Sequence, residues 1–223
     1  MTARVAVLAS GGGSNLQAIL DYLDAQPATQ AMSVALVASD RAAAGALERA
    51  RRHGVPAMAL DATQRGDGLA AILEAHAIDY IALAGYLRFI PTGVTRQWRG
   101  RIVNVHPSLL PSFGGTGMYG IRVHHAVLDA GVRVTGVTVH FVDEEYDRGP
   151  IIAQTPVPVL PGDTPEVLAQ RVLVVEHALY PVALNAVARG RVTLGANGLV
   201  HGLASVPELL TFSASSVQAF TAS

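Results

Sequence analysis

The N-terminal segment consists of a short apolar run, a glycine-rich loop and an amphipathic helix, and few folds contain these three parts in this order. Residues 4–9 (RVAVLA) form the run, and SGGGSN follows at residues 10–15. Apolar residues then recur on one helical face, at Leu16, Ile19, Leu20 and Leu23. A strand that passes through glycines into a helix turns free N–H groups and a positive dipole end toward one point. The segment predicts an α/β unit with a phosphate site; a plain strand-to-helix turn is the alternative.

Two common phosphate motifs do not match this loop. It lacks the Gly-Lys-Ser/Thr ending of the P-loop, and Leu16 stands where the dinucleotide fingerprint has its third glycine. The chain has no lysine, and its sixteen Lys and Arg positions are all Arg. Backbone N–H groups, hydroxyls, amides or Arg must therefore hold any phosphate. Asp40 follows the second predicted strand, where it would contact a ribose hydroxyl, so a dinucleotide site remains an alternative.

Strand and helix patterns alternate along the rest of the chain. The predicted strands are at residues 33–38, 56–60, 78–84, 102–105, 132–142 and 151–159, and the main helices at 42–53, 67–76, 121–130 and 165–189. The last two strands are close enough in sequence to form an antiparallel hairpin. The predicted fold class is therefore α/β, with a Rossmann-like, mostly parallel sheet flanked by helices and an antiparallel strand in the C-terminal part.

Composition narrows the class of protein. With 223 residues and 50% hydrophobic content, the chain is long enough for one domain with a large core. A formal net charge of −1 argues against nucleic-acid or anionic-membrane partners. The absence of Cys excludes thiolate chemistry, and the absence of Lys excludes Schiff-base catalysis. No segment is expected to reach transmembrane length, and a cytoplasmic enzyme is expected. The domain is predicted at residues 1–195, with a weakly structured tail at 196–223 because charges are sparse there.

Polar side chains lie at the ends of two predicted strands around residues 102–150. Asn104 and His106 close one strand, His140 lies in the next, and Asp147 follows it. Ligands of open α/β sheets bind beyond the carboxyl ends of strands. Asn can hold an oxyanion, His can move a proton, and Asp can orient the His. Together they predict a catalytic site; singly, each would be a polar turn or loop cap.

Five motifs then resemble the phosphoribosylglycinamide formyltransferase family. They are SGGGSNLQAIL (10–20), LAGYLRFI (83–90), NVHPSLLPSF (104–113), GVTVHFVDEEYDRGPIIAQ (136–154) and EHALYP (176–181). The resemblance runs from about residue 4 to 194. It implies formyl transfer from 10-formyltetrahydrofolate, a co-substrate, to the amine of glycinamide ribonucleotide in purine biosynthesis.

The resemblance also implies roles for individual residues. Asn104, His106 and Asp147 match the family's catalytic set. The substrate-binding positions are Gly12, Gly13, Ser14, Asn15 and Glu176, and the folate-binding positions are Arg65, Leu87, Arg88, Phe89, Ile90, Asn104, His140, Asp143 and Asp147. From the pattern alone, Glu176 is either a surface carboxylate or a ligand contact, and Phe89 either lines a pocket or packs under its loop. The histidines lack a recognised zinc spacing, so no metal is expected.

Three rival functions are weighed against this one. A formyltetrahydrofolate hydrolase would carry an extra N-terminal domain, for which the first strand near residue 4 leaves no room. A methionyl-tRNA formyltransferase would need a basic C-terminal domain, and this C-terminus is nearly uncharged. A non-catalytic nucleotide-binding module would use the glycine loop, and Asn104, His106 and Asp147 would have no role in it. The oligomeric state is expected to be monomer or homodimer.

Overall fold

A seven-stranded sheet runs through the computed structural model, which describes residues 2–25, 31–66 and 68–210. Its strands are Ala3–Leu8 (β1), Met32–Ser39 (β2), Ala57–Ala59 (β3), Tyr80–Leu83 (β4), Ile102–His106 (β5), Val134–Phe141 (β6) and Ile151–Pro158 (β7). Their order is β3-β2-β1-β4-β5-β6-β7. The first five are parallel, whereas β6 is antiparallel to both β5 and β7. The predicted fold class is confirmed, and the antiparallel part includes the β5–β6 pair as well as the expected hairpin.

Helices cover both faces of this sheet. They are Ser14–Ala25 (α1), Gly45–Arg52 (α2), Ala62–Arg65 (α3), Gly68–Ala75 (α4), Thr92–Gln97 (α5), Ile121–Asp129 (α6) and Pro165–Ala188 (α7). Because side chains alternate along a strand, Val5 and Val7 of β1 enter one core cluster and Ala6 and Leu8 the other. The first cluster packs against α1, α2, α6 and α7, and the second against α4 and α5.

α7 is the helix that carries Glu176 to the carboxyl edge of the sheet. Thr164 caps it, accepting a hydrogen bond from the backbone N–H of Val167 at 3.3 Å, and proline is at its first position. The buried Tyr180 hydroxyl lies 3.0 Å from the carbonyl oxygen of Leu83 and 2.9 Å from that of Val103. Glu176 is one turn earlier on the same face, so this anchor at the ends of β4 and β5 sets its position.

The length and composition of α7 would also suit a membrane span. This corrects the expectation that no segment reaches that length. Half of its most apolar window is buried inside the protein, and Leu168, Val172 and Leu179 are fully buried in the core. A helix that is apolar on most sides is also the pattern of a central core helix, and the packing assigns α7 to the core.

Residues 193–210 fold back onto the domain. They form Thr193–Leu194 (β8) paired antiparallel with Val200–His201 (β9), a 3-10 helix Leu203–Ser205 and a short helix Pro207–Leu210 (α8). Val206 and Leu209 are buried in the core cluster that includes α7. Two buried apolar side chains thus dock part of residues 196–210 on the core, and the division into a domain at 1–195 and a tail at 196–223 stays a prediction. The rest of the predicted tail, 211–223, lies outside the described residues.

Truncation after residue 195 is expected to destabilise the domain. Burial of two aliphatic side chains contributes roughly 2–5 kcal/mol, so the melting temperature should fall by several degrees. The measurement is thermal unfolding of the truncated chain beside the full chain. Val206→Ala with Leu209→Ala should reproduce most of the loss, and Leu199→Ala, at an exposed position, serves as the control. A truncated chain that melts like the full chain would show that the segment is dispensable.

Candidate active site

The glycine loop between β1 and α1 is held in place by α2. Gly13 has a φ of +78°, and a Cβ there would come within 2.7 Å of the Cα of Ala46. The backbone N–H of Ala46 donates to the carbonyl oxygen of Gly11 at 3.1 Å. Only glycine accepts both the conformation and the close approach. α2 thus fixes the loop at the N-terminus of α1, where the helix presents free N–H groups.

Gly13→Ala is expected to weaken ribonucleotide binding by about tenfold or more, because strain of roughly 1–3 kcal/mol must distort the loop. Folate affinity should stay nearly unchanged. Gly12→Ala is the matched control for strain, since a Cβ at Gly12 meets nothing within 4 Å. Calorimetry with each ligand on each variant is the measurement. Equal losses for both ligands in Gly13→Ala would contradict the assignment of this loop to the phosphate.

Asn15 and Glu176 meet although 161 residues separate them in sequence. The side-chain amide of Asn15 donates to Glu176 Oε2 at 2.6 Å, and both residues are buried. Burial raises the pKa of Glu176 to about 7, and the hydrogen bond from Asn15 only partly offsets it. Glu176 is therefore no surface carboxylate. Two predicted substrate-binding positions come together here at the first turn of α1.

The predicted catalytic residues converge at the ends of β5 and β6. Burial lowers the pKa of His140, and its Nδ1 donates to the carbonyl oxygen of Phe141 at 2.8 Å. A neutral His140 then accepts at Nε2 from the Asn104 amide at 3.0 Å. Asp147 lies 3.6 Å from His106 Nδ1 and 3.8 Å from His140 Nε2. One amide hydrogen of Asn104 remains for a ligand.

The glycine-rich loop after β5, residues 113–120, holds this cluster in place through two hydrogen bonds. His106 Nε2 donates to the carbonyl oxygen of Phe113 at 2.9 Å, and the backbone N–H of Gly115 donates to Asp147 Oδ2 at 2.8 Å. The first contact orients the ring of His106 so that its Nδ1 faces Asp147. The Asp147 side chain is 12% exposed, so Asp147 is part of the cluster and no solvated turn residue.

Two cavities meet at this cluster. Asn104, Tyr86, Tyr146 and Asp147 line both of them. The wider cavity, about 400 Å³, also borders His106, Leu87 and the glycine-rich loop. The narrower one, about 60 Å³, is lined by Asn104, Asp147 and five further predicted folate positions: Arg88, Phe89, Ile90, His140 and Asp143. A reacting atom placed where the two cavities meet would face both Asn104 and Asp147.

Aromatic rings form one wall of the narrower cavity. Phe89 and Tyr146 pack edge to face, with ring centroids 5.1 Å apart. Both rings are about 40% exposed, so Phe89 does not pack under its loop. Burial and nearby Asp40 raise the pKa of Tyr86 to about 12, which keeps its hydroxyl protonated. The sequence argument missed Tyr86 and Tyr146, and aromatic residues within the two site loops were the available signal.

Two charged residues considered for ligand binding contact other groups of the protein. Asp40, considered for a ribose hydroxyl, has a buried side chain and pairs with Arg88 at 3.2 Å. Arg65 lines neither cavity; its guanidinium donates to the carbonyl oxygen of Leu60 at 2.9 Å. A role for Arg65 toward folate stays a prediction. The expectation of no metal also stays a prediction, and His124 is buried while His125 is exposed, so these two do not face one point.

Residues 3–184 match the formyl transferase family. The chain belongs to this family. Among relatives of this formyl transferase, the chloroplastic phosphoribosylglycinamide formyltransferase of Arabidopsis thaliana is 41% identical over 203 residues, 88% of this chain and 69% of the plant protein. The trifunctional purine biosynthetic protein adenosine-3 of Bos taurus is 44% identical over 89% of this chain, which spans only 20% of that protein.

Solved structures of related enzymes have the same fold as this chain. Glycinamide ribonucleotide transformylase 1 from Symbiobacterium toebii superposes with a TM-score of 0.81 at 43% identity, covering 90% of this chain and 93% of that chain. A formyltetrahydrofolate deformylase from Pseudomonas syringae superposes with a TM-score of 0.79 at 26% identity, covering 90% of this chain and 65% of that chain. The fold alone does not separate transfer from deformylation. The higher identity places this formyl transferase with the phosphoribosylglycinamide formyltransferases.

Proposed function

We propose that this site transfers the formyl group of 10-formyltetrahydrofolate to the amine of glycinamide ribonucleotide, a step of purine biosynthesis de novo. The observation that carries the proposal is the position of Asn104, His106 and Asp147 where two cavities meet. The lining of one cavity includes the rings of Phe89 and Tyr146, which are suited to contact a flat pterin ring. The phosphate loop and Glu176 provide for a ribonucleotide. The names of the relatives support the same reaction.

Attack of the amine on the formyl carbon creates a tetrahedral intermediate with a developing oxyanion. Asn104 has an amide hydrogen left to donate, and His106 donates from Nδ1 once that atom is protonated. Both groups are fixed before reaction, which is the condition for effective oxyanion stabilisation. We therefore assign oxyanion stabilisation to Asn104 and His106.

The attacking amine becomes an ammonium and must lose a proton before the intermediate collapses. Asp147 is the carboxylate at the junction, 3.6 Å from His106 Nδ1, so it accepts or relays that proton, directly or through water. Collapse breaks the bond from the formyl carbon to the folate nitrogen, which takes up a proton. The products are formylglycinamide ribonucleotide and tetrahydrofolate.

The deciding experiment mixes the protein with glycinamide ribonucleotide and 10-formyltetrahydrofolate and follows tetrahydrofolate formation. We expect turnover that requires the ribonucleotide. The rival is deformylation, because a deformylase shares the fold. In that case formate would be released at the same rate without the ribonucleotide, and this result would overturn the proposal.

The remaining parts of the proposal concern partners and location. We propose small-molecule substrates only, with no nucleic acid or membrane, because the net charge is near zero. We propose a cytoplasmic enzyme that is a monomer or homodimer and that needs no metal. Cell fractionation, light scattering and turnover in the presence of a chelator test these three statements.

A further inference from the structure

We propose that Arg49 is a positioning residue that orients two backbone N–H groups of the glycine loop toward the substrate's phosphate. The inference rests on the proposed function and adds a residue that the sequence argument did not select. Arg49 is in the last turn of α2. Its Nε donates to the carbonyl oxygen of Gly12 at 2.8 Å, and its Nη1 donates to Gln17 Oε1 at 3.1 Å.

The orientation follows from peptide geometry. In a trans peptide the C=O of one residue and the N–H of the next point in opposite directions. The Gly11 carbonyl accepts from Ala46 N–H, and the Gly12 carbonyl accepts from Arg49. Both carbonyls therefore point toward α2, and the N–H groups of Gly12 and Gly13 point away from it. Successive N–H groups aimed to one side form an anion-binding concavity.

The N–H groups of Gly12 and Gly13 are available to a ligand. Neither Gly12 N nor Gly13 N donates a hydrogen bond within the part of the chain that the structure describes. If Arg49 were absent, the Gly12–Gly13 peptide could rotate and present its carbonyl oxygen to the phosphate, which would repel it. Arg49 acts from behind the loop, through Gly12, and needs no contact with the ligand.

The other arginines of the same turn show that this contact is specific. Arg51 and Arg52 are exposed and lie 4.0 and 3.8 Å from Glu48. Arg49 is half-buried and borders a cavity of about 580 Å³ between α1, α2 and α7. The chain has no lysine. The positive charge of Arg49, which lies beside the glycine loop, also favours the binding of an anion there.

The test compares Arg49→Met with Arg52→Met, using glycinamide ribonucleotide and the corresponding ribonucleoside without phosphate. Arg49→Met should raise KM for the ribonucleotide by ~10-fold while kcat at saturation changes little. KM for the ribonucleoside should not change, because that substrate has no phosphate to place. Arg49→Gln, which keeps a donor for the Gly12 carbonyl, should restore part of the loss. Arg52→Met should resemble the wild type.

Binding of inorganic phosphate, measured by calorimetry, gives a readout independent of turnover, and should weaken in Arg49→Met but not in Arg52→Met. Equal KM increases for ribonucleotide and ribonucleoside would overturn the proposal, since they would indicate a general structural role. Unchanged phosphate affinity would overturn it as well. Failure of the proposed function is distinct, because the wild type would then show no ribonucleotide-dependent turnover at all.

Discussion

Replacing His106 by Ala is expected to lower kcat by ~10²–10³-fold across the whole pH range, the usual cost of one oxyanion-stabilising donor. Asp147→Asn should also lower kcat, because the carboxylate that accepts the proton of the attacking amine is lost. The Asn side chain keeps the shape and the hydrogen bond from Gly115, yet it removes the negative charge beside His106.

The measurement is a pH–rate profile for each variant and for the double variant. The two losses should not add, because both residues serve one proton-handling unit. Ribonucleotide affinity should persist, since neither residue is assigned to the phosphate or the ribose. His125→Ala, at an exposed position of α6, is the control. A wild-type profile for Asp147→Asn would show that Asp147 only shapes the loop.

Glu176→Gln is expected to stabilise the fold and to weaken ribonucleotide binding. Burial raises the pKa of Glu176 to about 7 in the folded protein. In the unfolded chain the carboxyl titrates at its ordinary value near 4.5. Between these values the folded state holds a proton that the unfolded state has released. Stability is therefore highest at low pH and is lost as the pH rises to about 7. Above that pH the buried charge costs about 3 kcal/mol, which Gln avoids.

Ribonucleotide binding should respond in the opposite sense. A carboxylate accepts charge-assisted hydrogen bonds from ribose hydroxyls, and the amide has only one accepting oxygen. Affinity should fall by roughly 10–100-fold. In the wild type, ribonucleotide affinity should decline as the pH drops below about 7, the pKa of Glu176, and the variant should lose this dependence.

Thermal melting at pH 5 and pH 8, with calorimetric titration of the ribonucleotide at both, measures the two effects. The melting temperature of Glu176→Gln should exceed that of the wild type at pH 8 and match it more closely at pH 5. Glu74→Gln, at an exposed position of α4, is the control and should change neither quantity. A variant that is less stable at pH 8 would contradict a costly buried charge at this position.

Local patterns in the sequence determined the strands, the glycine loop and the position of the catalytic set. Apolar runs that end in Asn104 and His106, or continue to His140, predict strand ends without any knowledge of partners. In the structure Asn104 and His140 meet because β5 and β6 pair antiparallel in a register that sets these two residues opposite each other. The resemblance of five motifs to the phosphoribosylglycinamide formyltransferases indicated the roles of the individual residues. This information is local because hydrophobic periodicity and turn residues act within about ten neighbouring positions.

Only the tertiary structure decided which distant groups meet. The pattern left Glu176 as either a surface carboxylate or a ligand contact, and the packing of α7 on the sheet buried it against Asn15. The contact between Arg49 and the Gly12 carbonyl depends on how α2 packs on the loop. The docking of Val206 and Leu209 depends on a free apolar surface of the core beside α7. None of these has a local signal, because each is chosen by shape and burial between segments far apart in sequence.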